Sequence, residues 1–524
     1  MLPDIVLADN IGIRETKLPR EAILDTTPAS SLPASKKIVN LVPITNNTVG
    51  ANQTVQFLIP QRNLAKAHSF YLKFKFNLVG NAAYGAGTYD SGTNTYAAPL
   101  DRFYSFAGSS GSAGALFQQM TVQAGGTTIE ACQNYHLWNN NVINHAQDEN
   151  AAAKVEAITA GSYLADLPWA KQADVNTVSA GTNPVNRTLG TGGSLPGISK
   201  FEFTDQFSAV ATDLTSANEA VTLSVPIQMG FFNPKEAQLI PLFAFNGGVL
   251  LTLQTNAIQK ALYWSSSQFV IGSGNPNPPL RDDAASGGVA VSGQGPFNLC
   301  SDYRLSDFEL CYTEITPAPA YIASTQAAMQ SGRQIRIECQ SYNQYNVACN
   351  SSVRQNFNAN MSSLAGIFWG RVNGIDSLTT KKWFQGQLGI LDDDPNQRYE
   401  IYLDNVQLFQ SPNQLNSISV VARQLQEALC SSITDHPVSH YVQGGGRGAG
   451  DGYGVGNYIS QAYLYGLSTK LFASNSTSFD GSQVSTITLN FQTNGDNQNN
   501  TWYLYLVYDY IYMVDATGSV SKLM

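Results

Sequence analysis

The chain has 524 residues, with 29 Lys and Arg against 38 Asp and Glu, a net charge of −9 and only 13% charged residues, where a soluble chain ordinarily carries about 25%. That shortage excludes a coiled coil or long-helix protein, and an aromatic content of 10%, with 25 Tyr and 24 Phe, excludes disorder over most of the length. An acidic chain with no basic stretch also lacks the face that a nucleic-acid binder needs to displace counterions from phosphates.

The first 40 residues read as an N-terminal arm. They mix Arg14, Lys17, Arg20, Lys36 and Lys37 with Asp4, Asp9, Glu15, Glu21 and Asp25, and prolines at 3, 19, 28 and 33 prevent a continuous helix. An extended arm docking on neighbours is expected. Asp4 and Asp9 stand where a signal peptide needs a basic start and then an apolar block, so no export signal is expected.

Val55, Phe57 and Ile59 mark the first strand, ended by Pro60. The clearest alternation follows at 69–78. Phe70, Leu72, Phe74, Phe76 and Leu78 point one way; Ser69, Tyr71, Lys73, Lys75 and Asn77 point the other. Period 2 with one apolar face is a half-buried antiparallel strand. A helix is expected over about 131–146, then strands at 221–228, 251–256 and 303–315. After Pro317 and Pro319 comes a short helix, Ala320–Met329. A strand at 334–340 turns Ile335, Ile337 and Cys339 inward, and another is expected at 399–410. Residues 417–430 read as a helix with Ser417 as N-cap and Ile418, Val421, Ala422, Leu425 and Leu429 on one face. Strands follow at 458–467, at 486–492 with Ile487, Leu489 and Phe491 inward, and at 502–514. The last, WYLYLVYDYIYMV, is too short for a membrane helix and contains Asp509. Long polar loops are expected at 80–113, 148–200, 262–298 and 441–457.

The six cysteines, at 132, 300, 311, 339, 349 and 430, form no C-x-x-C pair. They read as reduced, mostly buried thiols of an intracellular protein.

The element order repeats. Strand, turn, short strand and helix over 114–146, then strands at 221–228, 251–256 and 303–315, are matched by strands at 399–410, a helix at 417–430, and strands at 458–467, 490–494 and 502–514. LTLQTN (251–256) and NFQTN (490–494) occupy the same place. A period of about 200 residues is too long for a solenoid and suits two copies of one β domain. Eight antiparallel strands with long end loops describe a jelly roll. The expectation is an all-β fold: two eight-stranded antiparallel jelly rolls side by side, with long loops and a few short helices. The arm would cover 1–40, the first jelly roll 41–318 and the second 319–524.

Five segments carry a family likeness. TVQFLIPQRNLAKAHSFYLKFKF (54–76), ALFQQMTVQAGGTTIEACQNYHLWNN (115–140), VTLSVPIQMGFFNPKEAQLIPLFAFNGGVLLTLQTN (221–256), DYRLSDFELCYTEI (302–315) and WYLYLVYDYIYMVDATGSV (502–520) stand in the right order. The chain resembles the double jelly-roll major capsid proteins, the lineage of adenovirus hexon and tailless membrane-containing phages, and is nearest to those of polinton-like viruses and virophages. The resemblance implies a structural, non-enzymatic subunit of an icosahedral double-stranded DNA virus shell. It implies a homotrimer with a pseudo-hexagonal outline, in which 303–315 and 502–514 are core strands. Partners would be neighbouring capsomers, penton and minor capsid or cement proteins and, through the arm, an internal membrane; sequence-specific nucleic acid is not among them. The place would be the virion capsid, assembled inside the host cell. Low charge with many Tyr and Asn also suits large permanent lateral interfaces.

No catalytic, cofactor-binding or metal residues are assigned. His436 and His440 beside Asp435 lack further zinc ligands. Asp392, Asp393 and Asp394 lack the spacing of a calcium loop. The glycine run at 444–456, with Arg447, lacks a phosphate-cradle motif and reads as a tower or inter-subunit loop. G-x-S-x-G is absent, and His68, His136, His145, His436 and His440 are the only histidines. Cys132 and His136, one helical turn apart, read as core residues rather than a nucleophile pair. Sequons at Asn46, Asn52, Asn186, Asn350, Asn360, Asn475 and Asn499 follow from a composition rich in Asn, Ser and Thr. Two further readings stay open: a single jelly-roll capsid protein with large insertions, and a β-sandwich carbohydrate-binding or host-attachment protein.

Overall fold

The computed structural model describes residues 34–80, 89–90, 95–96, 102–106, 113–142, 221–235, 239–266, 300–349, 353–373, 398–410, 412–414, 418–429, 465–471, 481–492 and 500–523. Eight main strands build the first half: β1 (Ala34–Leu41), β2 (Thr54–Ile59), β3 (Tyr71–Gly80), β4 (Phe117–Ala124), β5 (Thr127–Gln133), β6 (Val221–Pro226), β7 (Val249–Thr255) and β8 (Cys300–Pro317). They pair antiparallel in two sheets, ordered β6–β3–β8–β1 and β2–β7–β4–β5. The alternation at 69–78 becomes β3. Phe70, Leu72, Phe74 and Phe76 are buried, while Tyr71 and Lys73 are half-buried and Lys75 is exposed. Asn77 departs from the expectation and is buried, where β3 pairs with β8. The rings of Phe117 and Phe308 lie 5.9 Å and 5.0 Å from that of Phe74 and join the two sheets.

The second half contains β9 (Ile335–Cys349), β10 (Val353–Asn373), β11 (Arg398–Leu403), β12 (Val406–Gln407), β13 (Tyr465–Ser468), β14 (Ser482–Gln492), β15 (Asn500–Val514) and β16 (Val520–Leu523), the last an addition beside β15. Strand β10 serves two sheets. Its first part, Val353 to Leu364, pairs with β14, and its second, Leu364 to Asn373, with β15. Register shifts between Asn358 and Gly366, with Asn360 at φ 46°, bend the strand there; bulges commonly let one strand turn a sandwich corner. The sheet orders are then β9–β15–β10–β13 and β10–β14–β11–β12. Position for position, these repeat β1–β8–β3–β6 and β2–β7–β4–β5.

The repeat places β1 as the partner of β8, just as β9 partners β15. The last residues of the expected arm therefore belong to the first sheet, and Lys37 forms an ion pair with Glu314 of β8. Residues 1–33 lie outside the described residues. The helix expected over 131–146 starts later. Residues up to Gln133 complete β5, Asn134 turns the chain at φ 47°, and α1 (Tyr135–Leu137) continues as wider turns to Val142. Helices α2 (Pro319–Gln330) and α3 (Ile418–Leu429) lie where expected. Ser417 lies outside the described residues. No described helix is long and apolar enough to cross a membrane.

Two of the expected loops contain paired strand: Arg102–Phe106 of one lies antiparallel to Leu262–Ser266 of the other. Residues 148–200 and 441–457 are outside the described residues. The long connections nevertheless have a common origin. β3 ends at Gly80 opposite the start of β8 at Cys300, and Val221 at the start of β6 faces Phe76. In the second half Asn373 faces Asn500, and Tyr465 faces Trp369. So 81–112, 143–220 and 267–299 attach at one end of the first sandwich, and 374–397, 430–464 and 493–499 at the matching end of the second.

Candidate assembly interface

The two halves meet along β5 and β9, and the seam is polar. Glu130 of β5 is buried. Its carboxylate accepts the backbone N–H of Gly230 at 3.0 Å, that of Phe231 at 2.9 Å and, across the seam, the Ser341 hydroxyl at 2.6 Å. A buried carboxylate needs such donors, since each one left unmade costs about 1–3 kcal/mol or more. The backbone of Gly230 and Phe231, at the start of the run Gly230-Phe231-Phe232, thereby has a physical role. A Cβ on Gly230 would stand 2.1 Å from the Gln340 carbonyl and 2.7 Å from the Tyr510 hydroxyl. Only glycine lets the two backbones approach this closely.

Asp509, which marked the last strand as unfit for a membrane, is buried. It pairs with Lys235 of the first half at 2.7 Å and accepts from Gln340 Nε2 at 3.0 Å and from Ser363 Oγ at 2.8 Å. Burial pushes its pKa up, against the hydrogen bond and charge of Lys235. Lys522 of β16 donates to the Tyr508 hydroxyl at 2.9 Å and lies 4.3 Å from the Tyr510 ring centre. Burial lowers its pKa, and the Glu130 charge opposes that. Trp138 stacks on Tyr342 at 4.3 Å, adding an aromatic contact at the edge of this network.

The seam also fixes direction. Tyr512, which pairs with Ile337, donates to the Ile129 carbonyl; Tyr342 donates to the Gln133 carbonyl; Asn134 donates to Gln344. β5 and β9 therefore run the same way. β7 runs parallel to β5, since both are antiparallel to β4, and it ends where Tyr303 of β8 donates to the Asn256 carbonyl. The loop-bearing ends of the two sandwiches thus lie on one side of the molecule. On the opposite side Gly518, at φ 76°, lets the C-terminal turn pass close to Asn246 and Ala244.

Cys132 lies on β5, not on a helix, so the helical spacing to His136 does not arise. Both are buried. Burial, then the Glu130 charge, pushes the Cys132 thiol well above its ordinary value, which opposes thiolate chemistry. Among the described residues no group of three metal-ligating side chains comes together. Asp392 to Asp394, Asp435, His436, His440 and the glycine run lie outside the described residues. Two described sequon asparagines, Asn52 at φ 57° and Asn360 at φ 46°, hold left-handed backbone positions, a conformation asparagine tolerates well.

No family model matches the chain, and no curated protein sequence does. Solved structures do. A chain of the Sputnik virophage particle is similar over 93% of this chain and 88% of its own, with a TM-score of 0.51 at 9% identity. That is the double jelly-roll fold. The Faustovirus major capsid protein is similar over 97% of this chain and 96% of its own, with a TM-score of 0.48 at 10% identity. The mavirus major capsid protein has a TM-score of 0.45 at 10% identity, over 97% of this chain and 93% of its own.

Proposed function

We propose that this double jelly-roll chain is the major capsid protein of an icosahedral double-stranded DNA virus, located in the virion. The observation that carries the reading is the seam. Two sandwiches of one topology stand side by side in one direction, held by a dense polar contact, with the matching connections 81–112, 143–220, 267–299, 374–397, 430–464 and 493–499 attached on one side. Such a molecule presents two similar lateral units and one loop-bearing face, the shape a flat shell tile needs. A trimer of it has a near-sixfold outline and can tile a hexagonal lattice. The role is structural rather than catalytic. The arm, up to the start of β1, ties neighbours, and the division between the sandwiches falls near residue 318, ahead of α2. The topology repeat disfavours one jelly roll with insertions. Negative-stain imaging of the expressed chain tests the reading: hexagonal-outlined trimers and sheets or shells are expected. Monomers that bind glycans would overturn it in favour of an attachment protein.

A further inference from the structure

The seam pair of Lys235 and Asp509 contains, atom for atom, an amide and one water. The Asp509 side chain is 1% exposed and that of Lys235 23%, with Nζ 2.7 Å from Oδ1. The carboxyl carbon Cγ is one bond beyond Oδ1, so a rotation of the side chains brings it to the roughly 3–3.5 Å of a near-attack geometry. A buried ion pair carries a desolvation cost that a neutral amide does not. Burial already raises the Asp509 pKa. That favours passing a proton from Nζ to Oδ1, which leaves a neutral amine beside a neutral acid.

The groups around the pair are those that a condensation needs. Gln340 Nε2 donates to Oδ1 at 3.0 Å, and Ser363 Oγ donates to Oδ2 at 2.8 Å. Ser363 Oγ accepts the Gly481 N–H at 3.0 Å, so its own hydrogen is left for Asp509. That hydrogen sits on the oxygen that takes negative charge when Cγ becomes tetrahedral. A second carboxylate stands beside the pair. Gln340 faces Asp509 in register, and Glu338, two residues back on β9, presents its side chain to the same face. The Glu338 carbonyl accepts the Lys235 N–H at 2.9 Å, which lays the lysine along that stretch of β9. The Glu338 side chain is 20% exposed, and Arg336 Nη2 lies 3.9 Å from it, beyond hydrogen-bond reach.

We propose that Lys235 and Asp509 condense after folding into an intramolecular amide bond that joins the two sandwiches covalently. The first proton passes from Nζ to Oδ1. The amine lone pair attacks Cγ, the carbonyl π pair moves to Oδ2, and Ser363 holds the oxyanion. Glu338 takes the second proton from the nitrogen and delivers it to the Oδ1 hydroxyl. The carbonyl re-forms, the Cγ–Oδ1 bond breaks and one water leaves. The third lysine hydrogen stays on the amide. The reaction consumes no oxidant, reductant or outside reactant. The freshly folded chain holds the ion pair and the aged chain the amide. The bond makes the polar seam permanent within one chain, independent of any assembly.

The test is the intact mass of the purified full chain, followed over days at neutral pH. Wild type is expected to fall below its sequence mass by one water, and protease digestion should yield a branched fragment that joins the peptides of Lys235 and Asp509. Lys235→Arg keeps a cation but has no amine to acylate, so it should hold its full mass. Asp509→Asn offers a carboxamide to the same amine and should lose one ammonia in place of the water. Glu338→Gln should keep the circular dichroism of wild type and lose its water about 100-fold more slowly or not at all. A wild-type chain of full mass at the end of the incubation, or a lost water without the branched fragment, would overturn the bond. An unchanged rate in Glu338→Gln would overturn the role given to Glu338.

Discussion

The two closing strands, β8 and β15, occupy the same place in the two sandwiches, yet they read differently. β8 alternates: Tyr303, Leu305, Phe308 and Leu310 are buried, while Arg304 is exposed and Asp307 is 61% exposed. Its outer face carries ion pairs to β3, Lys73 with Glu309 and Lys75 with Asp307. β15 does not alternate. Leu504 through Tyr512 are all buried, with rings, aliphatic chains and Asp509 on both faces. One face of β15 fills its own sandwich, as where Trp502 stacks on Phe491 at 4.6 Å. The other, with Tyr505 and Asp509, is covered by Trp138 and Lys235 of the first half, which also meets Tyr512 at the far end of the inward face. The same topology therefore produces an alternating strand where one face stays wet and a continuous apolar run where both faces are covered.

The largest test of this comparison strikes what the halves share. Phe74 and Leu506 are both fully buried. Phe74→Asp or Leu506→Asp would place an unpaired charge in a sandwich interior, at a cost comparable to the roughly 5–15 kcal/mol stability of a whole domain. Insoluble or unfolded chain is expected, checked by circular dichroism; soluble trimers from either variant would contradict the core assignment.

The next test separates the seam from the interiors. Lys235→Met leaves Asp509 buried without its cation, which should destabilise by about 3–5 kcal/mol. Adding Asp509→Leu should restore only part of that, because the desolvation cost leaves with the pair but Gln340 and the buried Ser363 hydroxyl lose their acceptor. Burial already holds the Asp509 carboxyl above its ordinary value. The single variant should therefore recover stability as pH falls and that carboxyl takes a proton. Urea unfolding of the two variants at two pH values checks both expectations. Gly230→Ala acts at the same seam by shape alone. Its Cβ would meet the Gln340 backbone carbonyl first and the Tyr510 hydroxyl next, and forced overpacking typically costs about 1–3 kcal/mol. A seam opened this way should show faster amide exchange in β5 and β9 while the distant β2 and β14 stay protected.

Much of this was legible in the residues. The strict alternation of 69–78 located β3, and the unbroken run at 502–514 located β15. The run's lack of a polar face was also the signal that something covers it, although the sequence could not say what. Strand β10 escaped notice. Its first part alternates, with Phe357, Ala359 and Met361 buried, but from Ser363 to Gly370 every residue is buried. A bent strand shared by two sheets mixes two patterns, and neither period is sustained long enough to register. β1 was read as arm because its burial is sparse: only Val39 is buried. The seam residues were unreadable for another reason. Glu130, Lys235 and Asp509 come from three distant segments, and nothing local to any of them announces a partner.

The smallest expected effect lies on the wet side, where β8 meets β1. Glu314 is fully buried at its side chain and is met by Lys37 at 3.0 Å, Arg62 at 3.1 Å and Asn63 at 2.8 Å. Burial alone would raise its pKa; the hydrogen bonds of Lys37 and Asn63 and the charge of Arg62 outweigh it and hold the carboxyl below its ordinary 4.5. A depressed carboxyl stabilises the fold fully above its unfolded value and loses that contribution as pH falls through the folded one. Glu314→Gln should thus be less stable than wild type at pH 7, and the gap should narrow below about pH 4.5. Both cations are about half exposed, so solvent weakens the pair and the effect stays below that of Lys235→Met. A gap that stays constant across that range would mean that Glu314 supports β1 by packing rather than by charge. The ionic clamp would then not be what sets the register of the first strand.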